Sequence, residues 1–180
     1  ADVNVINNIG VSALMSASFN HSHSFGFHRD KIIKLLVTHR AKIDATVLIR
    51  ACSKQDIDLV KLFIEHGVDV NAKNKHGDTA LMTASSEYEI KTVKLLIEHG
   101  ANVNAKNKYG VTALIMASKY GHLEIVKYLL SKGAKVNERG TIYEHKNHTA
   151  IMFAKKVHYV KKKKQYTKIV ELLRQHGAIE

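Results

Sequence analysis

A repeat with a period of 33 residues runs through the chain and constrains its fold more than any other feature. The segments HGVDVNAKNKHGDTALMTAS (66–85) and HGANVNAKNKYGVTALIMAS (99–118) are near-copies offset by 33 residues. Glycines keep the same spacing at Gly67, Gly100 and Gly133. A period of this length is typical of a solenoid, in which repeats stack because none of them can bury its own apolar face alone.

Each repeat predicts two helices and a projecting turn. A short first helix begins at a Thr, as in TALMTAS, where the hydroxyl can cap the first turn. A second, amphipathic helix follows, as in HLEIVKYLLSK, and ends at a Gly suited to the left-handed C′ position. An Asn-Lys-x-Gly turn then forms a hairpin before the next Thr. The pattern predicts an all-α fold that carries short β-hairpins, which we call fingers.

These motifs resemble the ankyrin repeat, whose signature combines G-x-T-P-L-H-x-A, G-H-x-E-I-V-x-L-L and G-A-D-V-N-A. Five units open with GVSALMSA, TVLIRA, TALMTA, TALIMA and TAIMFA, so the resemblance covers essentially the whole chain. It implies an ankyrin-repeat solenoid of helix-turn-helix units with projecting β-hairpin fingers, forming a single domain over residues 1–180. We number the units one to five and place them at about 1–40, 41–67, 68–100, 101–133 and 134–180. The signature Pro and His are replaced by other, mostly apolar, residues in every unit.

The outer units and two of the fingers depart from the repeat. The opening Thr or Ser lies 21 residues before the end of the second helix in units two to four, but 28 residues before it in units one and five. The seven extra residues amount to about one helical turn on each of two helices, or to a longer loop. Unit two lacks a finger, whereas the finger of unit five has four extra residues. Tolerated drift in surface loops and a groove shaped for one partner both explain such changes.

The charge of the chain is placed unevenly. The net charge is +12, and residues 91–180 hold eighteen Lys or Arg against six Asp or Glu. Residues 1–90 hold ten of each kind. This asymmetry favours an acidic partner, through steering and ion pairing.

Twelve histidines raise the question of a metal site. Four of them precede the residue that ends a second helix, where they can interact with the last carbonyls: His39, His66, His99 and His176. His122 occupies the Gly-His position of the repeat. The segment FNHSHSFGFHRD (19–30) holds His21, His23 and His28 within the insertion of unit one and the start of its second helix. A structural zinc site usually needs four ligands including Cys, and Cys52 lies in another unit, so we expect no metal.

The sequence gives no support for catalysis or a cofactor. It contains no Gly-rich phosphate loop, no Gly-x-Ser-x-Gly and no His-Glu-x-x-His. Cys52 follows Ala51 among small residues expected to be buried, so we interpret it as inert packing. No apolar run approaches the length of a membrane span. These features favour a non-enzymatic, monomeric cytoplasmic protein, while removal of a leader before Ala1 would leave secretion or the periplasm open.

Ankyrin-like arrays bind proteins on their concave side, which consists of fingertips and the exposed face of each first helix. The resemblance therefore implies that the chain binds another protein, with units four and five as the stronger half of the site because most of the tyrosines lie there. The predicted contact residues are Arg50, Lys75, His76, Asp78, Glu87, Lys108, Tyr109, Val111, Met116, Lys119, Tyr120, Tyr143, His145, His148, Phe153 and Lys156, with Ile9, Val11, Ser16, Lys54 and Thr83 beside them.

Two further functions remain open from the sequence. One is an inhibitor or immunity-type protein that blocks an enzyme with its long finger or its insertions. The other is binding to nucleic acid or an anionic membrane through Lys161–Lys164, a basic run flanked by Tyr159 and Tyr166. We regard nucleic acid as the less favoured partner, because no recognised binding module accompanies the charge.

Overall fold

A computed structural model of the protein describes residues 2–7, 11–19, 26–143, 145–161 and 164–179. In this part of the chain, ten helices form five consecutive pairs, and one β-hairpin lies between the last two pairs. The elements are α1 (Ala13–Phe19), α2 (Gly26–Thr38), α3 (Ala45–Ser53), α4 (Ile57–Glu65), α5 (Ala80–Ser86), α6 (Ile90–Glu98), α7 (Ala113–Tyr120), α8 (Leu123–Ser131), β1 (Gly140–Ile142), β2 (His145–His148), α9 (Ala150–Lys161) and α10 (Lys164–Gln175).

The helices stack in two layers, as the repeat predicts. The first helices α1, α3, α5, α7 and α9 pack side by side, and in the second layer α4, α6, α8 and α10 do the same. Four of the five first helices carry a buried alanine at the same place, which lets neighbouring helices approach closely: Ala51, Ala84, Ala117 and Ala154. The second helices contribute larger side chains such as Phe63, Leu96 and Leu129 to one continuous core. The predicted all-α solenoid is confirmed.

Side chains cap the first helices in units one to four. Ser12 accepts a hydrogen bond from the backbone N–H of Met15 at 3.2 Å. Thr79 accepts a hydrogen bond from the backbone N–H of Met82, and Thr112 accepts one from Ile115. In unit two the cap is Asp44, which accepts from Val47 at 3.0 Å. The repeat pattern placed the cap of α3 at Thr46, which is wrong by two residues. Because unit two lacks a finger, Asp44 lies directly before the N-terminus of the helix and caps it instead. The hydroxyl of Thr149 has no hydrogen-bond partner among the described residues.

The second helices end as predicted. Gly67, Gly100 and Gly133 all have φ near +80°, the left-handed conformation in which a helix can terminate. The four repeated histidines occupy the turn before this residue. Each has its Nδ1 within 2.8–2.9 Å of the carbonyl oxygen four residues earlier. Each of these carbonyls also accepts the backbone N–H of the same histidine, so the imidazole adds a second contact to the last turn of the helix.

The extra residues of unit five lengthen its helices. Both α9 and α10 contain 12 residues, compared with 8 in α7 and 9 in α8. In unit one, α2 has 13 residues against 9 in α4, while His21 and His23 lie outside the described residues. Of the two interpretations of the insertion, longer helices are thus correct for unit five.

The sizes of the fingers agree with the spacing of the repeat. In units three and four a tight turn closes between Asn74 and Asp78 and between Asn107 and Val111. In unit five the extra residues form strands β1 and β2, which pair antiparallel. The chain passes from the end of α2 to α3 through residues 39–44 without a hairpin, so unit two lacks a finger. No helix in the described part of the chain is long and apolar enough to cross a membrane.

Candidate functional site

The fingers of units three, four and five are joined edge to edge through their backbones. Lys108 donates its backbone N–H to the carbonyl of His76 at 3.0 Å. Thr141 donates in the same way to the carbonyl of Tyr109 at 2.8 Å. The backbones of the three fingers therefore hold fixed positions relative to one another.

A pocket of about 680 Å³ lies between these fingers and the first helices α5 and α7. Fingertips and first-helix faces thus belong to one surface, as the resemblance implies. The lining residues are His76, Asp78, Met82, Thr83, Asn107, Tyr109, Val111, Met116, Thr141, Ile142 and Tyr143. We call the pocket, together with the exposed residues next to it on α7 and the fingers, the finger-side surface.

Lys119 stands beside the pocket between two aromatic rings. Its Nζ lies 5.0 Å from the ring centroid of Tyr120 and 4.7 Å from that of Tyr143. These distances are those of cation–π contacts. Burial lowers the pKa of Lys119, because desolvation disfavours the charged form. Burial also raises the pKa of Tyr120, and the neighbouring Tyr143 and Glu87 add to the increase.

Aromatic side chains continue the surface beyond Lys119. The ring of His122 stacks at 6.2 Å from Tyr120 and lies 5.0 Å from Tyr88. Its Nε2 is 2.9 Å from the carbonyl oxygen of Ser86 in the neighbouring unit, which fixes the ring in place. The surface therefore presents a line of rings from the fingers to the loop that follows α5.

Tyr166 of the last unit packs against the end of α7. It is buried at the start of α10, and its hydroxyl donates to the carbonyl of Lys119 at 3.2 Å. Its ring lies against Gly121, where an added Cβ would stand 2.7 Å from the Tyr166 Cζ. Gly121 also has a φ of +81°. The lengthened last unit thus packs against the end of α7 that carries Lys119 and Tyr120.

The structure brings most of the predicted contact residues together. Lys75 and Lys108 are exposed on adjacent fingers, Tyr109 is 54% exposed and Tyr143 is 84% exposed. Seven of the residues predicted for this surface line the pocket: His76, Asp78, Thr83, Tyr109, Val111, Met116 and Tyr143.

Other predicted residues lie apart from the pocket. Arg50 borders a separate depression on α3 with Thr46, Ile49 and Ser53. Lys156 is exposed on α9. The backbone of His145 belongs to β2, whereas its side chain, like all of Ile9, lies outside the described residues.

Two predicted contact residues are buried and offer little or no surface to a partner. Val111 is 4% exposed because finger five covers it, and a Cβ added at Gly140 would stand 2.9 Å from its Cα. Phe153 is 1% exposed, with the ring of His148 at 5.3 Å over it. Asp78 is reachable, but its carboxylate already accepts from the side-chain amides of Asn74 and Asn107.

The sequence missed five residues of this region. Thr141 and Ile142 belong to the enlarged finger, whose fold is not visible in the repeat pattern. Tyr88 occupies a left-handed position (φ 64°) in the loop after α5. The remaining two are Met82 and Asn107. The substitution of the signature His by Met82 was a signal that could have located the apolar wall of the pocket.

Titratable groups elsewhere do not form a reactive site in the described residues. Burial raises the pKa of Cys52 to about 12, so its thiol stays protonated at neutral pH. Among the described residues, no group of three or more His, Cys, Asp or Glu side chains is placed to hold a metal ion.

A family model for ankyrin repeats matches the chain in three overlapping copies, over residues 24–107, 48–140 and 107–180. Together the copies span most of the chain. The chain belongs to the ankyrin repeat family. Ankyrin repeats are generally modules for protein–protein interaction and are typically not catalytic. No curated protein matches the chain.

Proposed function

We propose that this ankyrin repeat protein binds another protein with an acidic surface, and that the finger-side surface of units three to five makes the contact. One observation carries the proposal. The exposed Tyr109 and Tyr143 line a pocket between the joined fingers, and lysines that have no acidic partner among the described residues lie beside it. Tyr is a typical anchor of protein interfaces, while Lys at the periphery steers the encounter.

The ion pairs of the chain support the acidic character of the partner. Lys106 pairs with Glu138, and Lys127 pairs with Glu124 within α8. Lys75, Lys108 and Lys119 have no carboxylate partner among the described residues, and all three lie on the finger-side surface. A partner that supplied carboxylates there would neutralise charges that this chain leaves uncompensated.

Site-specific photo-crosslinking in the native host lysate tests the proposal. One variant carries p-benzoylphenylalanine in place of Tyr109, and the control carries it in place of Lys127, which is exposed on the second-helix layer. We expect a protein adduct from position 109 that position 127 does not give. Equal adducts from both positions, or an adduct from position 127 alone, would show that the finger-side surface is not the contact.

The two other candidate functions predict different experimental results. An inhibitor or immunity-type role requires that the captured protein be an enzyme and lose activity in the complex. Binding to nucleic acid or an anionic membrane through Lys161–Lys164 requires that affinity fall steeply with salt and that neutralising these lysines abolish it. The structure describes the ends of this run, at Lys161 and Lys164, and not Lys162 or Lys163.

A further inference from the structure

Lys119 differs from the other lysines that contact aromatic rings. Lys94 and Lys132 lie 5.6 and 5.4 Å from the ring centroid of Tyr128, and both are exposed on the second-helix layer. Lys119 is half-buried and contacts two rings from different units. It also lacks a carboxylate partner among the described residues. A desolvated charge of this kind gains most from an added anion, because neighbouring groups already exclude part of the water.

Both enlarged parts of unit five converge on this lysine. The long finger brings Tyr143 against one side of its ammonium group. The lengthened α10 places the Tyr166 hydroxyl on its backbone carbonyl. The position of Lys119 is therefore fixed from two directions, which lowers the entropic cost of binding through it.

The pocket lies next to Lys119, with Tyr143 common to both. Met116 lies one helical turn before Lys119 on α7, and Tyr143 borders both Lys119 and the pocket. Met82, Met116 and Ile142 give the pocket its apolar side. Its volume of about 680 Å³ lies within the range of sites that enclose a ligand group.

We propose that Lys119 binds a carboxylate side chain of an acidic partner segment, while an aliphatic or aromatic side chain of the same segment fills the adjoining pocket. The inference rests on the proposed function and specifies the partner chemistry that the surface recognises. A single lysine between tyrosine rings suits a monoanionic carboxylate. Recognition of phosphorylated motifs commonly uses clusters of Arg, and the described lining of this pocket contains no Arg. Two acidic groups limit where the partner carboxylate can lie: Glu87 near Tyr120 and Asp78 in the pocket lining.

A displayed library of random twelve-residue peptides provides the probe. Peptides selected on the full chain are synthesised, and their affinities are measured by fluorescence polarisation. We expect the selected peptides to share an Asp or Glu close to an aliphatic or aromatic residue. Lys119→Gln should weaken their binding about tenfold, the effect expected for one charge-assisted hydrogen bond. Lys119→Arg, which keeps the charge, should retain most of the affinity.

Lys132→Gln is the matched control, because it removes a lysine in cation–π contact away from the pocket. It should leave the affinity unchanged. Replacing the peptide carboxylate by its amide should weaken binding to the unaltered chain but have little further effect in Lys119→Gln, since both changes remove one interaction. Circular dichroism and the melting temperature show that the variants remain folded.

Three results would overturn the inference. These are selection of peptides that lack a carboxylate, binding that is insensitive to Lys119→Gln, and failure of the library to yield any binder. Each leaves the proposed function standing if photo-crosslinking still occurs at position 109. Loss of the position-specific crosslink would instead remove the proposed function itself.

Discussion

Single asparagine side chains fasten consecutive units of the array to each other. The side-chain amide of Asn71 donates to the Gly100 carbonyl at 2.9 Å, and its oxygen accepts from the N–H of Asn102 at 2.7 Å. Asn104 forms the same pair of bonds with Gly133 and Lys135. Asn4 and Asn137 repeat the arrangement in the outer units. Each asparagine follows the end of a repeat and therefore holds one loop against the next.

Removing one of these bridges should destabilise the array measurably. Asn71→Ala deletes two hydrogen bonds between units, and we expect the free energy of unfolding to fall by about 1 kcal/mol, since the site is exposed. Asn102→Ala is the control, because its side-chain oxygen accepts from the N–H of Asn104 within one loop. Urea unfolding followed by circular dichroism measures both variants. An equal loss in the two would contradict a bridging role.

Cys52 should be inert toward thiol reagents in the folded protein. Because burial raises its pKa to about 12, little thiolate exists at pH 8, and we expect iodoacetamide to label it only as fast as the chain unfolds. By linkage, the free energy of unfolding should fall as the pH rises above the ordinary thiol range, where only the unfolded thiol ionises. Mass spectrometry with and without urea measures the labelling. Complete labelling of native protein within minutes would show that the thiol is accessible.

At the scale of the elements, glycines at the fingers differ from glycines at the helix ends. Gly100 ends α6 with φ +85°, and an added Cβ would have no heavy atom within 4 Å. Gly110 has φ +73°, and an added Cβ would overlap the carbonyl oxygen of Arg139 in the next finger. The second position therefore combines an unfavourable backbone conformation with a steric conflict between fingers.

We expect Gly110→Ala to cost more stability than Gly100→Ala. The left-handed conformation alone should cost roughly 1–2 kcal/mol at either site. At Gly110 the fingers must also separate, so the unfolding free energy should fall further and affinity for a finger-side ligand should drop. Urea unfolding of both variants provides the comparison. Equal costs would mean that the fingers of units four and five are not held in contact.

The repeat pattern predicted the helices and fingers well, because the residues that form them recur in every unit. Helix ends, the histidines beside them, the missing finger and the longer unit five all followed from spacing. The start of α3 was misplaced because Asp44, freed by the loss of a finger, caps the helix instead of Thr46. Val111 and Phe153 were misplaced because contacts between a finger and its neighbours bury them. Such contacts depend on how units meet, which a single unit's sequence does not specify.

In the whole molecule, the half of the chain that carries the excess positive charge also has the longer finger and the longer last helices. The excess positive charge lies in residues 91–180, which also contain the longer finger and the longer last helices. Among the residues whose exposure the structure describes, the exposed tyrosines lie at positions 88, 109, 120 and 143. Three of these four tyrosines belong to units four and five, the half of the chain that also carries the excess positive charge.

The affinity of the crosslinked partner for defined variants tests the central claim most directly. The partner identified at position 109 is purified, and its binding is measured by calorimetry for the unaltered chain, for Tyr109→Ala with Tyr120→Ala, and for a chain in which Lys161–Lys164 are replaced by Gln. We expect the double tyrosine variant to bind at least about tenfold more weakly, as truncation of interface anchors does, and the glutamine variant to keep close to the original affinity. Full affinity in the tyrosine variant together with loss in the glutamine variant would contradict it.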